Sequence, residues 1–241
     1  MAVITVDQRV DELISSIISC IDDQINLIKN LRYEVTWKED GSPVTKADIY
    51  VESLLTELIH QWDSSVTVIG EESYQSKGIN TDGLVAILDP IDGTENFCSG
   101  LKEWGICFTL WENRIHLGSL ILMPELKEHI RSGHTVDLVK SRIQGLSSSM
   151  CESIQNSLSS GGEFRIMGCC AYNMYNVIRG SFARFSNPKG AYTWDILPGL
   201  VLALEHQCEV VVDGKKYTGE FLEPGRKYCI DIQHRYDLHP R

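Results

Sequence analysis

The decapeptide Leu88-Asp89-Pro90-Ile91-Asp92-Gly93-Thr94-Glu95-Asn96-Phe97 sets two carboxylates, a helix-opening turn and a hydroxyl side by side, residue types suited to a metal and phosphate site. The preceding run, Gly83-Leu84-Val85-Ala86-Ile87-Leu88, is apolar and rich in β-formers, which predicts Asp89 at the carboxyl end of a buried strand. Pro90 has no N–H for a sheet ladder, so pairing is expected to stop there. Asp89 and Asp92 then flank a turn, and their oxygens can converge on a cation that prefers hard ligands, Mg2+ foremost. Gly93 lets an anion approach the backbone, and Thr94 with the amides after it can form a helix N-terminus facing phosphate. Taken alone, these residues equally make a surface turn with a capping Asp.

Other acids stand at comparable places. Apolar residues recur at helical spacing from 6 to 31 (Val10, Leu13, Ile14, Ile17, Ile18, Ile21, Ile25, Ile28) and predict a long amphipathic helix. Turn residues mark 37–43 as a loop, and Thr45-Lys46-Ala47-Asp48 opens a second helix with Ile49, Val51, Leu54, Leu55, Leu58 and Ile59 as its apolar face. Asp48 lies in the first turn of that helix, where an acid also complements the macrodipole. Val66-Thr67-Val68-Ile69 reads as a strand ending at Gly70, followed by Glu71 and Glu72, which are either site acids or solvated loop charges. Residues 105–111 and 115–123 read as an antiparallel pair, and 129–138 as a short hairpin around Ser132-Gly133-His134.

A Ser- and Gly-rich stretch, 141–162, contains a helix at 151–158 and is the expected junction between two halves, 1–140 and 163–241, of a single 241-residue domain. Beyond it the pattern predicts a strand at 164–166, a helix at 169–178, a strand at 182–185, a helix at 194–206 with Asp195 in its first turn, and a strand at 209–212. Alternating strands and helices behind a pair of N-terminal helices indicate a layered α/β or α+β fold. Strand ends and helix starts are where such folds place ligands, and Asp48, Glu71, Asp89, Asp92 and Asp195 all occupy them.

Composition narrows the function classes. A formal charge of −11 without a basic run argues against binding a nucleic-acid polymer. Metal ions would reverse the local field and let an acidic protein handle a small phosphorylated metabolite. No apolar run reaches the ~18 residues of a membrane span, and the first seven residues lack a basic region followed by an apolar one, so a cytoplasmic location is expected. The eight cysteines form no C-x-x-C pair and are expected to be reduced and mostly buried. The seven histidines, among them His234 and His239, show no zinc spacing.

Gly70-Glu71-Glu72-Ser73, Asp89-Pro90-Ile91-Asp92-Gly93-Thr94 with Glu95-Asn96-Phe97, and Trp194-Asp195-Ile196-Leu197-Pro198-Gly199 resemble, in this order, the three signature motifs of the inositol monophosphatase family. That family belongs to the Mg2+-dependent, lithium-sensitive phosphatases, with fructose-1,6-bisphosphatases and 3'(2'),5'-bisphosphate nucleotidases as relatives. Ser42-Pro43-Val44-Thr45-Lys46-Ala47-Asp48 also resembles its N-terminal pattern. The resemblance implies an α+β fold, a layered αβαβα sandwich of the sugar-phosphatase type, in a homodimer. It further implies a phosphomonoesterase with two or three Mg2+ ions, acting on a small phosphorylated polyol or sugar by attack of a metal-activated water. Carried over by motif, Glu71, Asp89 and the Ile91 carbonyl would hold a first metal, and Asp89, Asp92 and Asp195 a second. Asp48 and Thr94 would orient the water, with Glu71 close to it and to a weaker third metal. The Gly93 and Thr94 amides would receive the phosphate, and Ala171, in Gly168-Cys169-Cys170-Ala171-Tyr172, would line the substrate pocket.

The chain departs from the family pattern in three places. The last motif is followed by Glu205-His206-Gln207-Cys208 where many members have Glu-Ala-Gly-Gly, and 123–165 is short. The stretch 185–193 contains no acid where inositol phosphatases place a glutamate on the ring hydroxyls, and a lost hydrogen bond of that kind shifts selectivity away from inositol phosphate. Asn187-Pro188 ahead of Trp194-Asp195 resembles the bisphosphate nucleotidases, with Arg165, Lys189 and Arg184 as candidates for a second anionic group, which sets a nucleotidase-like activity as the alternative. A non-catalytic phosphate-ligand-binding member of the fold is the remaining reading.

Overall fold

A computed structural model describes residues 6–75, 80–159 and 161–235. The chain opens with helix α1 (Gln8–Leu31), then strands β1 (Val35–Trp37) and β2 (Pro43–Thr45), helix α2 (Lys46–Trp62), β3 (Thr67–Gly70) and β4 (Leu84–Asp92). A short helix α3 (Thr94–Cys98) is followed by β5 (Gly105–Glu112), β6 (Ile115–Met123), β7 (Glu128–Arg131) and β8 (Ile143–Leu146). Then come α4 (Glu152–Ser159), β9 (Glu163–Ile166), α5 (Cys170–Ile178), β10 (Arg184–Tyr192), α6 (Thr193–Glu205), β11 (Glu209–Val212), β12 (Lys215–Lys216) and β13 (Lys227–Gln233).

Two sheets organise the fold. The first runs β3-β4-β5-β6-β7 and the second β12-β11-β13-β10-β8-β9. Strand periodicity assigns each face of the first sheet to a different core. Along β4, Ala86 and Leu88 pack with α1 and α2, whereas Val85 and Ile87 join the core built by α5, α6 and the second sheet. On β5, Phe108 and Leu110 face the N-terminal helices while Cys107 and Trp111 face α5 and α6. Burial on both faces explains why these strands read as continuous apolar runs. The layers are thus α1/α2, first sheet, α5/α6 and second sheet. Helix α4 links the parallel strands β8 and β9 and buries Ile154 outside both cores, and the layering of helices and sheets matches the αβαβα fold class expected from the resemblance.

Several sequence expectations need correction. Pro90 does not end β4. The strand continues to Asp92, and its ladder with β5 shifts register between Asp89 and Asp92, so Pro90 sits in a bulge. The expected loop at 37–43 is the turn of a hairpin, with Val35 opposite Thr45 and Trp37 opposite Pro43. The 129–138 hairpin is a single strand, β7, paired with β6. The junction stretch 141–162 itself supplies β8, an interior strand, and α4. The strand expected at 182–185 is the start of the much longer β10, and β8, β12 and β13 were not signalled by the pattern. On α2, Ile49 is 59% exposed, while Asp48 and Glu52 are buried beside Val51 and Leu55. All eight cysteines are free, but only Cys107, Cys169 and Cys208 are buried. His234 is a core residue, and His239 lies outside the described residues.

The divergent turn after α6 has a local explanation. Gln207 takes a left-handed φ of 62°, and the Cys208 amide donates back to the Ala203 carbonyl at 2.8 Å. This is the bonding of a glycine-type helix stop, made here by glutamine. Leu88, fully buried under α1 and α2, is the last apolar residue before the site. Leu88→Ala should lower the unfolding free energy by ~2–5 kcal/mol in urea titrations, the cost of a cavity at a place that cannot collapse.

Candidate metal centre

The site begins at the start of α2. The Thr45 amide donates to Asp48 Oδ2 at 2.8 Å, the Thr45 hydroxyl donates to the same oxygen at 2.5 Å, and the Ala47 amide donates to Thr45 Oγ1 at 3.1 Å. This reciprocal cap satisfies helix-start donors and leaves Asp48 Oδ1 facing Thr94, whose Oγ1 lies 3.2 Å away. The same hydroxyl is 3.0 Å from the Ile91 carbonyl oxygen, and its single proton serves one of the two acceptors at a time. Burial raises the Asp48 carboxyl to about 6, against the Thr45 hydrogen bonds that favour its charged form.

At the end of β3, the Glu71 amide donates to the Leu88 carbonyl at 3.1 Å, which docks the turn onto β4. Lys38, from the hairpin turn, donates to Glu71 Oε1 and Glu72 Oε1, each at 2.9 Å. Burial works against the Lys38 charge, but the two glutamates hold its ammonium above the ordinary range. Neither the Lys38 contact nor the burial of Glu52 beneath this turn was signalled by the sequence. A carboxylate four residues after Asp48 on one helix face was the available clue for Glu52.

Strand β4 delivers the central acids through its bulge. Asp89 Oδ1 accepts the Ile91 amide at 2.9 Å, while Asp89 Oδ2 is buried without a hydrogen-bond partner. Asp92 Oδ2 accepts the Cys169 thiol at 3.2 Å and also the Ala171 amide. Gly93 has φ 85° and opens α3, and a Cβ there would stand 2.8 Å from Cys169 Cβ, so glycine is required on both counts. Asp195, in the first turn of α6, accepts the Tyr192 amide at 2.8 Å and caps that helix as Asp48 caps α2.

Glu71, Asp89 and Asp195 each bring one carboxylate oxygen within 4.8 Å of the others. Asp92 lies outside this triad but within reach of its field. Burial first, then the charges of Glu71, Asp92 and Asp195, push Asp89 well above the carboxylate range. Burial, with Asp92 and Glu71, does the same to Asp195. Burial carries Asp92 to about 6 although the Ala171 amide and the Cys169 thiol favour its charge. Burial also raises Glu71, with Lys38 opposing it. Acids packed at this distance, with one buried Asp89 oxygen left without a hydrogen-bond partner, fit a divalent cation with hard oxygen ligands.

A cavity of about 190 Å³ opens beside Asp92 and Asp195. Ser147, Ser148, Ser149, Asn187, Tyr192 and Lys227 contribute to its wall. Strand pairing sets Lys227 directly opposite Tyr192, next to a bulge between Asn187 and Ala191. Its Nζ lies 4.9 Å from the Tyr192 ring centroid, and Trp194 stacks on that ring at 4.9 Å. Of the residues expected near the substrate, Ala171 is fully buried and acts through its amide on Asp92, while its neighbours Cys169 and Cys170 reach the cavity. Arg165 is exposed on β9, donates to the Phe164 carbonyl at 2.8 Å and does not line the cavity. Arg184 is committed to Asp231 through a bidentate pair, and Lys189 is exposed outside the cavity wall.

Fold and site together define a layered α+β protein that gathers buried and half-buried carboxylates at the ends of β3 and β4 and at the starts of α2 and α6. The model of the inositol monophosphatase family matches residues 5–157, well over half of the sequence, and the chain belongs to that family. It is 36% identical over 98 residues to a chloroplastic bifunctional phosphatase of Arabidopsis thaliana, covering 40% of this chain and 28% of that protein. The chain thus spans well under two thirds of that relative. Against inositol monophosphatase 1 of Bos taurus it is 27% identical over 216 residues, 73% of this chain and 74% of the bovine one. A crystal structure described as an IMPase/NADP phosphatase with Mg2+ and phosphate shares the fold, with a TM-score of 0.79 and 20% identity over 95% of this chain and 91% of that one.

Two measurements check the electrostatics. Asp89→Asn relieves the burden of a fully buried acid among other acids, so it should raise the melting temperature of metal-free protein by ~2–8 °C and lessen any further rise on adding a divalent cation. For Asp48, the folded value of about 6 lies above the ordinary 3.8, so the folded state binds the extra proton between those values and stability is lost as pH rises through that window. From pH 7 to 5 the metal-free wild type should therefore gain about 1 kcal/mol relative to Asp48→Asn in paired urea titrations.

Proposed function

We propose that this protein is a divalent-cation-dependent phosphomonoesterase, with Mg2+ the ion its hard oxygen donors suit, acting on small phosphorylated polyols or sugars. The observation that carries this is the convergence of Glu71, Asp89 and Asp195 with Asp89 Oδ2 buried and unpartnered. Family membership and the capping geometry of Asp48 and Asp195 support it. Glu71, Asp89 and Asp195 would hold the metal, with the Ile91 carbonyl and Asp92 adjacent. When bound, Mg2+ supplies Lewis acidity at the phosphoryl oxygens and a water of lowered pKa.

The chain's own groups do the rest. The Asp48 and Thr94 pair holds and orients the attacking water, and the Gly93 and Thr94 amides receive the phosphate at the start of α3. Water attacks phosphorus in line, the bond from phosphorus to the substrate oxygen breaks, and the alcohol leaves into the cavity without a covalent intermediate. Burial and the neighbouring acids keep the Cys107, Cys169 and Cys170 thiols well above their ordinary range, which removes them as nucleophiles. A cavity of about 190 Å³ walled by serine hydroxyls and Asn187 suits a sugar-sized alcohol. Lys227 on that wall favours a second reading, a bisphosphate substrate of the nucleotidase type, whose second anion it would meet. Family membership also supports lithium inhibition, a cytoplasmic location and a homodimer in this reading.

Mg2+-dependent phosphate release across inositol phosphates, sugar phosphates and adenosine 3',5'-bisphosphate tests the proposal. Turnover of at least one compound is expected. It should vanish in Asp89→Asn at saturating Mg2+ and fall ~10²–10⁴-fold in Thr94→Ala. Lys227→Met should weaken only substrates with a second anionic group, by about tenfold. Hydrolysis surviving in Asp89→Asn would overturn the metal assignment, and a wild type that binds these compounds without releasing phosphate would make the protein a binding member of the fold.

A further inference from the structure

We propose that Glu52 is a positioning residue for the metal centre, an inference that rests on the metal-site reading above. Glu52 lies one helical turn beyond Asp48 on α2, is 6% exposed, and spends its carboxylate on the backbone that follows Glu71. Its Oε2 accepts the Glu72 amide at 2.8 Å and its Oε1 accepts the Ser73 amide at 2.9 Å. Two charge-assisted bonds to consecutive amides fix the orientation of those peptides, and through them the direction in which Glu71 leaves the chain. The Leu88 carbonyl holds the same turn from the other side, at the Glu71 amide. The fit is close enough to dictate the neighbouring residue, because a Cβ on Gly70 would collide with the Glu52 carboxylate.

The arrangement links two parts of the site through one rigid element. Asp48 sets the Thr94 hydroxyl, and Glu52 sets the Glu71 turn, from the same face of α2. The water-orienting pair and the metal ligand are therefore indexed to each other by one turn of helix. Glu52 touches neither metal nor substrate in this scheme. Its effect must appear in the affinity of the ion that Glu71 holds, since outer partners of metal ligands act mainly by orienting them.

The test is Mn2+ binding to metal-depleted full-length protein, followed by electron paramagnetic resonance without substrate, beside the Mg2+ dependence of phosphate release from the best compound of the panel. Glu52→Gln, which keeps one acceptor, should weaken Mn2+ binding by about 10-fold and Glu52→Ala by up to about 100-fold. At saturating Mg2+ the KM should stay within about twofold of wild type, because the substrate wall is untouched. Gly70→Ala displaces the same carboxylate from the opposite side and should reproduce the Mn2+ defect, which keeps the test open if Glu52→Ala does not fold. Wild-type Mn2+ affinity in folded Glu52→Gln and Gly70→Ala would overturn the inference alone. If the wild type itself binds no Mn2+, the metal-site reading fails and this inference with it.

Discussion

Holding several negative charges together at the end of a buried strand is the constraint to which the rest of this structure answers. Glu71, Asp89, Asp92 and Asp195 all have their carboxyls raised, and burial is the first cause in each. Well-packed apolar side chains in the same volume would make a more stable protein. The surrounding elements are arranged to offset that penalty. Helices α2 and α6 both start at the site, so the positive ends of their dipoles point toward the acids. Lys38 lies across Glu71 and Glu72, and the amides of Ala171, Glu72 and Ser73 take up carboxylate oxygens that would otherwise be bare.

The same residues hold the fold and shape the site. Asp48 and Asp195 are helix caps whose other oxygens are available to the centre, so their positions are as well defined as the helix starts themselves. Bulges do the equivalent work for the sheets. The shift between Asp89 and Asp92 sets Asp92 beside the cluster that Asp89 joins, and the shift between Asn187 and Ala191 lies in the second sheet where the cavity opens. Glu71, Asp89 and Asp92 thus stand at the ends of first-sheet strands, whereas Asn187, Tyr192 and Lys227 on the cavity wall belong to the second sheet, with α5 and α6 between.

The two parts of the site are held by different constraints. The clustered acids are constrained by each other's charge and by capping. The cavity wall is constrained by shape and hydrogen bonding. Ser147, Ser148 and Ser149 stand on it, and Tyr192 there stacks on Trp194 and lies near Lys227 Nζ.

The sequence by itself determined what local physics controls. Apolar periodicity marks α1, α2, β4, β5 and β6, because each must bury a face, and cap residues place Asp48 and Asp195 in first turns. Wherever a position depended on distant pairing, the tertiary structure decided. Pro90 stays within β4 because β5 accommodates a bulge there, and β8 is an interior strand because β10 and β9 flank it. Ile49, expected on the apolar face, is exposed, while Glu52 is buried with its carboxylate on the Glu72 and Ser73 amides. Ala171 was assigned to the substrate by position in a motif and Arg165 as a cation for a second anionic group, whereas Lys227 reaches the cavity through a cross-strand register with Tyr192. Residue type and spacing carry the chemistry of the acids, since charge and capping act over a few residues. Which groups face one another across the site follows from strand register and helix packing, and those are set by the whole core at once.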